Sequence, residues 1–285
     1  TEDMLKAPNR PNTYILPERI SSPPHKQTSA AKSGLPLQII ASYKLDKTVC
    51  VCIPKSAAFA LFSEGIGRLR LIYMDTMTVD EKLIITSSKR PMDIFASANG
   101  DYIAVTFDDE TAQIIRLSFE GGKLAASQSV TSFNYYLPLL SDPVFAFSDD
   151  GLWYQKDMYT MVKLSAEGES LISLSNEGEV TALAVCGNLN AFALRTLKGG
   201  QLCRADNEKV QTIKEFPDCD ILSIIVLKSG ALVVSFSDAT VRLFDCNGEE
   251  KGRMNTGISC ALVLEVENGV FCVAERSHKA FLWDF

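Results

Sequence analysis

The strongest constraint on this chain is a recurrence. Short apolar runs of five to eight residues, rich in Val, Ile, Phe and Leu, end at turns marked by Gly100, Gly151, Gly187, Gly230 and Gly269, which stand 51, 36, 43 and 39 residues apart. Around Gly100 the order is a run at 94–100, a second at 101–107, an acidic turn at Asp108, Asp109 and Glu110, and a third run at 112–118. Runs of this length, bounded by Gly, Asn, Asp and Ser, read as strands joined by tight turns. The order returns at 144–164, 181–195, 222–236 and 261–274, and an earlier copy lies at 49–73, its turn at Ser56 44 residues before Gly100. No long stretch has helical spacing.

A period near 40 residues with three or four strands per unit is the arithmetic of propeller blades. The expectation is an all-β chain, a β-propeller over residues 38–285, with six blades by this count. Seven follow if the 51-residue interval merges two. An open fan of blades leaves costly unpaired edges. The last unit has three strands before Phe285, and residues 38–45, QIIASYKL, offer a spare one. Closure of the ring by this N-terminal strand is therefore expected.

Two endings carry a resemblance. Residues 237–245 read SDATVRLFD, which resembles the last turn and third strand of a WD-repeat blade, and residues 277–284 end on Trp283-Asp284 in the same place. The resemblance implies that Asp238 caps the tight turn before the third strand and that Phe244 and Trp283 pack between blades. It also implies a protein-interaction role. Blades of that family usually carry a Gly-His pair in a buried hydrogen-bond network. Here the only histidines, His25 and His278, follow Pro24 and Ser277. The blades must then be held by apolar packing between sheets.

Six of the 11 prolines fall within residues 1–37, which carry five basic and three acidic side chains. This reads as a Pro-rich tail, mildly positive, on a body that holds the rest of a net charge of −7. The tail offers Tyr14-Ile15-Leu16 as an anchor and Ser22-Pro23 as a modification site. The sequence opens on Thr1 rather than Met, compatible with processing or a partial chain. No apolar run approaches a membrane span. An acidic body without a basic stripe argues against nucleic acid. The eight cysteines form no C-x-x-C and sit mostly in apolar runs, as expected in a reducing, cytoplasmic or nuclear compartment.

Catalytic signatures are missing. Gly65-Ile66-Gly67 has Arg70 where a dinucleotide loop needs its third glycine, and no Walker loop, G-x-S-x-G or H-E-x-x-H occurs. Cys50 and Cys52 would share one strand face, but no second pair completes a zinc site. No metal and no cofactor are expected. The expectation is a non-enzymatic interaction scaffold, a subunit of a multiprotein complex that binds proteins or peptides through its faces and its tail. The alternatives are the propeller of a larger vesicle-trafficking or coat subunit, and a propeller hydrolase or lyase with a site in the central channel. Partner-binding candidates come from the turns between second and third strands: Asp109, Glu110, Lys156, Lys198, Arg276 and His278. Phe133, Tyr135 and Tyr136, in the long interval, are candidate aromatic anchors.

Overall fold

The structure is a computed structural model and describes residues 48–54, 56–64, 66–138, 142–186, 189–205, 209–260, 262–266, 269–274 and 279–284. The tail, the closing strand expected at 38–45, Arg276 and His278 lie outside the described residues. Every regular element described is a β-strand, and the strands fall into six antiparallel sheets that follow one another along the chain. The first holds β1 (Thr48–Cys52), β2 (Phe59–Glu64), β3 (Arg68–Tyr73) and β4 (Thr78–Val79), with β5 (Ile85–Thr86) also on β3. The second holds β6 (Pro91–Ala96), β7 (Tyr102–Phe107), β8 (Thr111–Glu120) and β9 (Lys123–Asn134). The third holds β10 (Phe145–Ser148), β11 (Gly151–Asp157), β12 (Thr160–Leu164) and β13 (Ser170–Ser175). Then come β14 (Glu179–Cys186), β15 (Leu189–Thr196), β16 (Gly199–Ala205) and β17 (Val210–Phe216). The fifth is β18 (Ile221–Val226), β19 (Leu232–Phe236), β20 (Thr240–Phe244) and β21 (Glu250–Asn255). The sixth has three strands, β22 (Leu262–Val266), β23 (Gly269–Ala274) and β24 (Lys279–Asp284).

Side-chain alternation explains why the sequence shows continuous apolar runs. A strand sends successive residues to opposite faces, so a strand buried on both faces is apolar throughout. In β7, Ile103 and Val105 pack toward the first sheet while Ala104 packs toward the third. In β11, Leu152 and Tyr154 face the second sheet and Trp153 faces the fourth. In β19, Leu232 and Val234 meet the fourth sheet and Val233 the sixth. The second to fifth sheets are thus walls shared by two cores, and the first strands of successive sheets lie side by side. The long interval holds one sheet: its extra length goes into the hairpin of β8 and β9, ten and twelve residues long.

The turns are built by side-chain caps. Gly100 and Gly230 have φ of +79° and +82°, which suits a residue without Cβ. Gly151 opens β11 so close to the third strand that a Cβ would lie 2.1 Å from the Leu164 carbonyl oxygen.

The wall between the fourth and fifth sheets is aromatic. Phe244 is fully buried, 5.9 Å in ring-centroid separation from Phe216 and 6.3 Å from Phe236, both edge-on. The Arg242 guanidinium lies 4.3 Å above the Phe236 ring, a cation–π contact. The side chain at the W position therefore does pack between sheets. Phe244→Ala would leave a cavity costing about 4 kcal/mol, and a fall of roughly 10 °C in Tm is expected by calorimetry. A fall below about 2 °C would show that this wall does not hold the sheets together.

Candidate functional site

One end of the sheets collects both the turn between each second and third strand and the link that leaves the fourth. A repeated backbone bond ties the two together. Ser87 N donates to Gly67 O at 3.0 Å, Tyr135 N to Glu110 O at 3.3 Å, Asn176 N to Tyr159 O at 2.9 Å and Thr256 N to Ala239 O at 3.0 Å. In three of these turns the accepting residue is left-handed: Gly67, Glu110 and Ala239 have φ of +73°, +63° and +65°. For Glu110 and Ala239 this conformation costs on the order of 1 kcal/mol. The bonds around it must offset that cost.

Asp109 and Asp238 do this in the same way. Thr111 N and Oγ1 donate to Asp109 Oδ1 at 3.3 and 2.6 Å, and Thr240 N and Oγ1 donate to Asp238 Oδ1 at 3.0 and 2.6 Å. Lys89 Nζ pairs with Asp109 Oδ2 at 2.7 Å, while the Arg242 guanidinium grips Asp238. The Lys89 and Thr111 bonds hold the Asp109 carboxyl below the usual carboxylate range. Burial works against Asp238, yet Thr240 and Arg242 still hold its carboxyl low. Asp150, bonded to the buried Lys163, is held low as well. These depressed carboxylates serve turns and ion pairs.

The next two sheets give this face its apolar tips. Asp157 Oδ1 accepts from Tyr159 N at 3.0 Å, and Met158 O accepts from Gln155 Nε2 at 3.1 Å and from Asn176 Nδ2 at 3.2 Å. The turn is fixed, yet Tyr159 remains 57% and Met158 40% exposed. Tyr136, half-buried, donates its backbone N–H to Gln155 O at 2.9 Å, and burial together with the charge of Glu179 and the neighbouring Tyr159 raises its phenol. At the hairpin of β15 and β16, Thr196 Oγ1 accepts from Lys198 N at 3.1 Å and Leu197 stands fully in solvent. Arg195, on the same hairpin, reaches Glu179 of β14 at 3.7 Å and Asp220, in the link to the fifth sheet, at 3.3 Å.

The sequence-derived candidates divide accordingly. Asp109, Glu110 and Lys198 lie in turns on this face, with Lys156 near the end of β11 just before one, and all four are exposed. Tyr135 is corrected: it belongs to the core between the second and third sheets, against which the half-buried Phe133 packs. Tyr135 is 5% exposed with its hydroxyl donating to Phe107 O at 3.3 Å, and Phe133 lies 4.5 Å from the Tyr154 ring. The Tyr135 ring fills the space opened by the long hairpin and is not offered to a partner, whereas Phe133 and Tyr136 are half-buried. Arg276 and His278 lie outside the described residues. Met158, Tyr159 and Leu197 were missed, because a single apolar residue in a turn looks like strand or chance in sequence.

Among the described residues, no three His, Cys, Asp or Glu side chains come together as a metal site, and no helix is long and apolar enough to cross a membrane. No family model matches the chain, and no curated protein matches it. Among solved structures, BamB from Moraxella catarrhalis, a β-propeller, is similar, with a TM-score of 0.53 and 12% identity over 84% of this chain and 85% of that one. At that identity the likeness is one of architecture, and with six successive antiparallel sheets it identifies the fold as that of a β-propeller.

Proposed function

We propose that this chain is a non-enzymatic interaction scaffold, a WD-like six-bladed propeller in a multiprotein complex of a reducing compartment, cytoplasm or nucleus. The observation that carries the reading is the fixed turn face: strained or capped turns from successive sheets are bonded to the links beside them, and apolar tips stand exposed on top. Loops on a rigid scaffold bind at low entropic cost. Eight free cysteines, mostly buried or half-buried, fit a reducing compartment. The Pro-rich first 37 residues would act as a second tether.

We also infer a closed ring. The face of the sixth sheet turned away from the fifth carries the aligned row Leu264, Phe271 and Leu282, of which Leu264 is 45% and Leu282 65% exposed. The outer edge of β24, unpaired among the described residues, lies beside it. The strand expected at 38–45 would pair with this edge and cover the row, completing the sixth blade against the first.

Affinity capture with the intact protein tests the scaffold reading. A protein partner at near-stoichiometric amount is expected. Its absence with both the intact chain and a chain lacking residues 1–37 would overturn it.

A further inference from the structure

The turn face carries Ile66, 69% exposed, on the first sheet's turn, and a cluster of exposed apolar side chains over the third and fourth sheets. Tyr159 and Met158 project from the β11–β12 turn, Leu197 from the β15–β16 turn, and Tyr136 is bonded through its backbone N–H to Gln155 O just before the first of these turns. The ground between the two turns is continuous. Asn176 holds the Met158 and Gly178 carbonyls, and Gly178 packs so tightly on the next hairpin that a Cβ would sit 2.2 Å from Arg195 O. Leu197 is 109% exposed relative to a reference residue, so it contributes nothing to the core. An apolar side chain held clear of its own protein, on a turn whose backbone is fixed, is the geometry of a binding anchor.

The charge around these tips has a sign. Asp157, Glu177 and Asp218 are exposed, and Asp220 is half-buried beside Arg195. Asp157 spends one oxygen on a backbone N–H. Arg195 lies between Glu179 and Asp220 and offsets part of their charge. Lys156 and Lys198 are the exposed cations closest in sequence to the tips. The balance stays acidic, as it does over the whole body of the chain. A like-charged partner would be repelled, and a basic one drawn in.

Resting on the scaffold reading, we propose that this patch docks a basic peptide segment of a partner protein, with one aliphatic or aromatic side chain of the segment seated among Tyr136, Met158, Tyr159 and Leu197 and its flanking Lys or Arg side chains meeting Asp157, Glu177 and Asp218. The tips are set in place before the partner arrives. Specificity then comes from the spacing between the apolar anchor and the flanking cations, and binding weakens as salt rises.

The test uses the full chain and fluorescein-labelled peptides of the pattern Lys-Lys-Gly-Leu-Gly-Lys-Lys, a copy with Glu for every Lys and a copy with Ser for Leu. Fluorescence anisotropy should show saturable binding of the first peptide alone. The double variant Tyr159→Ser, Leu197→Ser should weaken it at least tenfold with an unchanged melting temperature, since both side chains are solvent-exposed. Asp157→Asn, Glu177→Gln should weaken it several-fold and flatten its salt dependence. Equal binding of the acidic peptide, binding unaffected by the tip variant, or no binding of the basic peptide would each overturn the proposal. Binding to anionic lipid vesicles that the tip variant abolishes, without peptide binding, would also overturn it and assign the patch to a membrane surface. A partner captured at stoichiometric amount by both the intact protein and the tip variant would sink the patch and leave the scaffold standing. Capture by neither would sink both.

Discussion

Removal of residues 1–47 should cost roughly 5 kcal/mol and leave an aggregation-prone protein, whereas removal of residues 1–37 alone should leave the melting temperature of the intact chain. The difference rests on the sixth sheet, which has three strands while the second to fifth have four. Its far side shows Leu264 and Leu282 to solvent, and among the described residues no strand pairs with the outer edge of β24. In QIIASYKL, alternation puts Ile39, Tyr43 and Leu45 on one face, an apolar complement to the row of Leu264, Phe271 and Leu282. Covering about three large apolar side chains, each near the low end of about 1.5 to 3 kcal/mol because they are already partly buried, gives the stated cost. Differential scanning calorimetry on the two truncations decides it. Coincident transitions for both would remove the N-terminal strand from the ring.

Stability should also fall steeply at alkaline pH. Burial pushes the Cys203 and Cys272 thiols up to about 12, from an ordinary value of 9.0, and both side chains are fully buried. Burial raises Cys50 to about 12 as well. The sign follows from which state releases the proton first. Unfolded, these thiols ionise from about pH 9 upward; folded, they stay protonated until near pH 12. Their stabilisation is therefore complete below pH 9 and is lost as pH rises toward 12. Near pH 10.5 each fully buried thiol accounts for about 2 kcal/mol. Cys203 and Cys272 together lose about 4 kcal/mol there, a large share of the net stability of an ordinary domain. Urea midpoints at pH 8 and pH 10.5 measure the loss. The variant Cys203→Ala, Cys272→Ala should show a much smaller drop between the two pH values, although it starts less stable. An equal drop would assign the alkaline effect to other groups.

What the sequence revealed tracks burial. The first two strands of each unit were readable, the second of them, β7, β11, β15 and β19 among them, because burial on both faces makes an unbroken apolar run; the third strand β16 was not read. The fourth strands were not. β13 reads SLISLS and β21 reads EKGRMN, half-exposed outer strands whose polar composition resembles linker. Gly199-Gly200 opens β16, with Gly199 at a φ of +113°. Asp238 was legible as a turn cap through the resemblance of residues 237–245 to a repeat ending, and Thr240 N and Oγ1 do donate to its carboxylate. The interaction face was legible in part. Charged residues of its turns could be named, but Met158, Tyr159 and Leu197 acquire meaning only through their exposure. The opposite error befell Tyr135, an apparent surface anchor that the long second-sheet hairpin turns into core.

The central claim is that partners bind the face formed by the turns between second and third strands, over the third and fourth sheets. Hydrogen-exchange mass spectrometry of the protein alone and with its captured partner tests this most directly. The account predicts slowed exchange at residues 136, 157–159, 176–179 and 196–198. Slowed exchange confined to the opposite turns, at residues 97–101, 165–169 and 245–249, would contradict it.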